Sequence, residues 1–210
     1  EYFGFTDQEV RGLLSYYEME ELYPVVKEWY DGYQFGKEEI YCPWDVLNYI
    51  REHIGDRNVP PKLYRINTSG NEIVKKLIRR ADSGMRDEIE QLIEGKSITK
   101  EIHMEMTYKD LDDPREGEAD TKKENLWSIL YTTGYLTSKT PSSDGRHYNL
   151  EIPNKEIRAI FVMQVREWMS ETVIYGNTDR LLNFCQAVKM GEADKFQELF
   201  NEYLMETISI

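Results

Sequence analysis

Apolar residues recur at three- and four-residue intervals over most of this chain, the spacing that builds one face of a helix. Thr6 and Glu9 form a capping-box pattern, and "DQEVRGLLSYYE" reads as the helix behind it. "EELYPVVKEWY" predicts a second helix with Pro24 in its first turns, and "PWDVLNYIREH" a third that opens on Pro43. Residues 54–70 are rich in turn formers and predict a loop. Beyond them "NEIVKKLIRRA" places Ile73, Val74, Leu77 and Ile78 on one stripe, and "MRDEIEQLIEG" repeats the amphipathic pattern.

The period then changes. "SITKEIHMEM", residues 97–106, alternates Ile98, Ile102 and Met104 and predicts a strand. "ENLWSILYTTG" returns to helical spacing, with Leu126, Ile129 and Leu130 inward. "YLTSKT" and "HYNLEI" alternate again around "PSSDGR", whose Asp144-Gly145 is a strong turn signal. In the second of these strands Tyr148, Leu150 and Ile152 are expected to face the helices, and Asn149 and Glu151 the water. A long helix follows, "PNKEIRAIFVMQVREWMSETVI", with Ile157, Ile160, Phe161, Val165 and Trp168 on one face. Two more helices close the chain, the last with Phe196, Leu199, Phe200, Tyr203 and Leu204 at core spacing.

The fold class expected is mainly α with a small β component. The most polar stretch, "KDLDDPREGEADTKKE", divides it into two lobes. Residues 1–112 form a helical lobe, and residues 121–210 a winged-helix-like unit (helix, β-hairpin, long helix) with C-terminal helices.

One stretch departs from simple periodicity. "WYDGYQFGKEEIYCPW", residues 29–44, is dense in aromatic rings and carries two glycines and a proline. A helix ending near Tyr30, a turn at Asp31-Gly32 and a short hairpin about Gly36-Lys37 account for it. Tyr33 and Phe35 then face Ile40 and Tyr41. Trp29, Tyr33 and Trp44 are the rings expected inward, and Tyr30 and Phe35 the rings expected outward. Asp31 is expected to accept backbone N–H bonds in the turn, and Gly32 to hold a positive φ.

Charge narrows the function classes. Of 210 residues, 31% are charged and 40% hydrophobic, with a formal net charge of −13. Nucleic-acid binders cluster Lys and Arg against phosphate, so this balance disfavours a dedicated one. No run approaches the length of a membrane helix, and Cys42 and Cys185 lack metal-ligand spacing; a reduced, cytoplasmic setting is expected. The chain opens on Glu1 in "EYFGFTDQEV" and is expected to be a piece of a longer protein.

The candidate chemical motifs mostly fail on spacing. "EGKS", residues 94–97, lacks the first glycine of a phosphate-binding loop, which would stand at Glu90, and a strand follows it where a helix should. "DLDD", with Asp110, Asp112 and Asp113, lacks the glycine and glutamate of a calcium loop and reads as a solvated acidic loop. His53, His103 and His147 stand apart from one another, and neither cysteine has a nucleophile signature. "EADTK" holds the letters of a nuclease carboxylate–lysine motif without flanking strands.

Four segments occur in a telling order: "FGFTDQEVRGLL", "VKEWYDGYQFGKEEIYCPWDVLNYI", "INTSGNEIVKKLI" and "LWSILYTTGYLTSKT…LEIPNKEIRAIF". Together they resemble a large family of bacterial proteins with an AAA-ATPase-like domain, usually fused to a C-terminal PD-(D/E)XK nuclease-like domain. The resemblance covers nearly the whole chain. It implies that the Walker motifs lie before Glu1 and the nuclease carboxylates after Ile210. No catalytic, cofactor-binding or metal-binding residue carries over; ATP and Mg are expected only on the upstream core.

The leading expectation is a non-catalytic regulatory or docking region that couples the P-loop core to a downstream domain. Its partners are those two domains, or further copies of itself, and Trp29, Tyr30, Asp31, Gly32, Tyr33 and Phe35 are the interaction candidates. The alternative is a nucleic-acid-binding winged helix. There Lys122, Lys123, Asn125, Ser128 and Tyr131 would face a groove, with Lys139 and Arg146 on the wing.

Overall fold

In the computed structural model the described residues are 4–35, 38–66, 71–105, 119–139, 145–176 and 178–208. The chain is mainly α with a small β component. Thr6 caps α1 (Asp7–Tyr16) through the expected reciprocal bonds with Glu9. A single 3-10 turn then leads into α2 (Tyr23–Tyr30), whose first turn holds Pro24. The aromatic hairpin follows as β2 (Tyr33–Phe35) and β3 (Glu38–Tyr41), with Tyr33 opposite Ile40 and Phe35 opposite Glu38. Its turn at Gly36-Lys37 lies outside the described residues. A two-residue strand, β1 (Phe5–Thr6), pairs with the other edge of β3.

Helix α3 (Pro43–Gly55) begins on Pro43 as read from sequence. Its inner side, Val46, Tyr49 and Ile50, joins Val10, Leu14 and Tyr30 in one core. Apolar burial of this kind stabilises by about 25 cal/mol per Å2 of surface removed from water. Residues 56–66 then form a strap without helix or strand, tied down by its side chains. Tyr30 Oη both donates to the Lys62 carbonyl and accepts from the Lys62 N–H, each at 3.2 Å.

The next elements are α4 (Asn71–Arg80), α5 (Ser83–Ile93) and β4 (Ile98–Glu101). Ile73, Val74, Leu77 and Ile78 are all buried, as their stripe predicts. After α6 (Ala119–Thr132) comes β5 (His147–Leu150). The expected hairpin is present as one antiparallel bridge, Thr137 to Glu151, with both backbone bonds at 2.9 Å. The rest of β5 pairs with β4, from Ile98 opposite Leu150 to Glu101 opposite His147. Leu150 and Ile152 are buried, Tyr148 half-buried and Asn149 exposed, so the alternation holds. The strand expected over residues 97–106 stops at Glu101, so Met104, counted in its alternation, lies beyond β4 and is exposed.

Helix α7 (Lys155–Gly176) follows, then α8 (Thr178–Met190) and α9 (Ala193–Ile208). The chain divides into two compact units, Glu1–Gln164 and Val165–Ile210. The polar boundary read from sequence falls largely on residues outside the described set. In the second unit Gly191, at φ +70°, turns the chain between α8 and α9. Phe184 there packs against Phe196 at 4.9 Å between ring centroids, and Phe196 stacks on Phe200 at 5.7 Å.

Candidate functional site

Within the first unit, five pieces of chain distant in sequence meet at a buried polar hub. Arg65, near the end of the strap, is its centre. One guanidinium nitrogen donates to Tyr33 Oη (2.7 Å) and to the Gly134 carbonyl (3.0 Å), and the other to the Thr133 carbonyl (2.8 Å). Those carbonyls end α6, where orphan acceptors and the negative end of the helix dipole favour a cation. Gly134 makes this ending possible with φ +74°, a conformation that side chains resist. The Tyr33 hydroxyl in turn donates to the Gly134 carbonyl at 2.9 Å. The Arg65 guanidinium also lies 4.7 Å from the centroid of Tyr135, whose hydroxyl reaches Asn71 Oδ1 at the start of α4.

The other side of the hub is built on two helix N-termini. Asn154 caps α7: its Oδ1 accepts from the Ile157 N–H (3.0 Å) while its Nδ2 donates to the Asp31 carbonyl (2.8 Å). Next to it the backbone of Gly32 runs so close to Pro153 that a Cβ would collide with the Pro153 carbonyl. Gly32 has φ +104°, as expected from its place in the turn.

In the first turns of α3 and α7 stand Asp45 and Glu156, both wholly buried. Glu156 Oε1 accepts from the Arg65 N–H at 2.9 Å. Among the described residues no N–H or hydroxyl meets either oxygen of Asp45, or Oε2 of Glu156. What faces Asp45 is the Cys42 thiol, the Arg65 guanidinium and the Glu156 carboxyl itself. Burial, and then the charge of Asp45, push the Glu156 carboxyl up to about 8. Burial likewise raises Asp45. The Cys42 thiol is pushed up to about 11 by burial, with Asp45 adding to the effect. The hub is therefore a joint hydrogen-bonded around Arg65 and Asn154, with a buried pair of carboxyl groups beside it.

The interaction candidates divide on this geometry. Tyr30, expected outward, is wholly buried, its ring 5.5 Å from that of Tyr49 and its hydroxyl held by the strap. Trp44, expected inward, is 60% exposed, because Asp45 and Val46 take the inner side of α3. Trp29 is partly buried against Tyr30, and Tyr33 points into the hub. The Phe35 side chain lies outside the described residues. Asp31 is buried, its Oδ2 3.7 Å from Lys27 Nζ, and burial raises its carboxyl.

The alternative set fares unevenly. Asn125 and Ser128 are buried on α6, where Ser128 Oγ accepts from the His103 N–H. Neither offers its side chain to a groove. Tyr131 packs on Tyr148 at 5.2 Å. Lys139 pairs with Glu151 at 2.9 Å, and Arg146 is exposed. The side chains of Lys122 and Lys123 lie outside the described residues, as does the "DLDD" loop. Among the described residues no group of three His, Cys, Asp or Glu side chains is placed to hold a metal ion, and no helix is long and apolar enough to cross a membrane.

Sequence reasoning missed Asp45, Arg65, Asn71 and Glu156 as a group. Glu156 and Asn154 stood in the quoted "LEIPNKE" segment without a chemical role. Asp45 and Arg65 carried no local signal. Comparison with protein-family models, with curated proteins and with solved structures gives no match.

Proposed function

We propose that this chain is a non-catalytic docking and regulatory region of a bacterial AAA-ATPase-like, nuclease-associated protein, coupling a P-loop core to a downstream domain. One observation carries the reading: residues from three of the four segments that bear the family resemblance converge on the same buried hub. Tyr33 and Asp45 come from the first of these, Asn71 from the second, and Gly134, Asn154 and Glu156 from the third. The side chains of Tyr33, Asn154 and Glu156 are used in hydrogen bonds to helix ends and backbone, which is what a scaffold asks of them. The reading includes a cytoplasmic setting, in keeping with two free cysteines. It leaves ATP and Mg to the core.

The docking side of this proposal rests on α3. Opposite its buried residues, Trp44, Leu47 and Ile54 are 60%, 47% and 59% exposed at helical spacing. Large apolar side chains grouped on one exposed helix face mark interaction surfaces more often than chance solvent contact. The occupant in this reading is the P-loop core that the resemblance implies. The test mixes this chain with a P-loop domain from a family protein, produced separately, in a calorimeter. Saturable binding that weakens at least tenfold in Trp44→Ser/Leu47→Ser supports the proposal. No heat of binding, or binding indifferent to both substitutions, overturns the docking surface. Micromolar ATP binding by this chain alone overturns the non-catalytic half.

A further inference from the structure

Most buried carboxylates are held ionised by N–H donors or a cation, and one without them sheds its charge by taking up a proton. Asp45 and Glu156 are both 0% exposed, and three of their four oxygens lack an N–H or hydroxyl donor among the described residues. They stand in the first turns of α3 and α7, near the positive end of each helix dipole. We propose that Asp45 and Glu156 share a single proton, and that this proton latches the start of α3, the strap at Arg65 and the start of α7 into one joint that loosens when it is lost.

The charge count supports the shared proton. With one proton the pair carries one negative charge, which the facing Arg65 guanidinium balances; with none, a second negative charge stays buried unbalanced. Two carboxylates sharing a dry site do not both ionise in the ordinary range, and one of them titrates late. The helix dipoles favour negative charge at both N-termini, yet two full charges exceed what they and one guanidinium offset. The other groups facing the pair do not supply a second cation. They are the Cys42 thiol before α3, the Tyr33 hydroxyl on β2 and, more distantly, the Tyr30 hydroxyl on α2. Burial raises all three and keeps them neutral.

The direction of the effect follows. A carboxyl whose folded value is raised holds its proton more tightly in the folded state, so stability falls as pH climbs from the ordinary carboxylate range towards about 8 and levels beyond it. The latch opens on the alkaline side. It does not depend on which partner the chain docks.

The experiment follows thermal unfolding of this chain, Glu156→Gln and Asp45→Asn from about pH 6 to about pH 9. The unsubstituted chain should lose several degrees across that interval, and both variants should show a flattened profile. Hydrogen exchange at the Arg65 amide, which donates to Glu156, should quicken relative to its intrinsic rate over the same interval. Since either variant risks failing to fold, infrared spectroscopy of the unsubstituted chain reads the proton directly: a protonated carboxyl band should persist at neutral pH and fade near pH 8. Parallel pH profiles in the folded variants, or absence of that band at neutral pH, overturn the proposal.

Discussion

The Asn154 side chain donates to the Asp31 carbonyl at 2.8 Å, joining the residue that caps α7 to the residue that ends α2 across 123 positions of chain. The same asparagine accepts the Ile157 N–H, so one amide group closes a helix start and satisfies a buried carbonyl. Asn154→Ala should cost about 1–3 kcal/mol, from a lost cap and an orphaned acceptor together. Asn154→Ser restores the cap alone and should recover about half. Urea unfolding of the three proteins decides it; equal stability of the alanine and serine variants would remove the long-range half of the role.

Two glycines should respond oppositely to a methyl group. At Gly32 the backbone is left-handed and Pro153 already occupies the space of a Cβ. Gly32→Ala should therefore destabilise by at least about 1–3 kcal/mol, the usual cost of local backbone strain. Gly12 sits inside α1 with open space for about 4 Å around the place a Cβ would take. Gly12→Ala should stabilise by about 0.5–1 kcal/mol. Thermal melts with the same sign for both would contradict the geometry.

Asp7 carries an acid-sensitive tie. Partial burial raises its carboxyl, but bonds from Tyr23, Arg11 and Tyr41 outweigh this and hold it at about 2. Tyr23 reaches Oδ1 at 2.5 Å and Tyr41 the same atom at 2.9 Å. A lowered folded value means stability that is complete above the unfolded value near 3.8 and lost as pH falls through about 2. Asp7→Asn should be less stable at neutral pH and lose less between about pH 4 and about pH 2. Acid titration by circular dichroism gives the comparison; identical acid limbs would mean that the three bonds contribute nothing net.

The two thiols should separate cleanly. Cys42 is half-buried, with a thiol pushed up to about 11 by burial, whereas Cys185 is exposed on α8. Thiolate is the reactive form. A disulfide reagent at about pH 8 should modify Cys185 at once and Cys42 only on unfolding. Prompt reaction of both, with the fold intact, would show the hub to be open.

Much of the local structure was legible in the sequence because the forces behind it are local. The Thr6–Glu9 cap, Pro24 and Pro43 in first turns and the buried stripe of α4 each depend on residues a few positions apart, whereas the hairpin register was only half read, since Phe35 lies opposite Glu38. Gly32 was read as left-handed from its turn alone, and it is. The pairing of β5 with β4 was not readable. Alternation tells a strand which face is buried but not which strand will lie beside it, and the nearer partner at Thr137 took only one bridge.

The hub shows the same division at the level of chemistry. The sequence by itself determined which segments matter, since the tyrosine-rich hairpin and "LEIPNKE" stood out as words. Tertiary structure alone decided that Tyr30 turns inward and Trp44 outward, and that Asp45, Arg65 and Glu156 meet. Side-chain direction at a helix end depends on which neighbours pack there. A carboxyl becomes unusual only when distant chain removes its water and brings a second carboxyl beside it. Until α3 and α7 come together, Asp45 and Glu156 are ordinary acidic residues in first helical turns, where the helix dipole favours them at any exposed position.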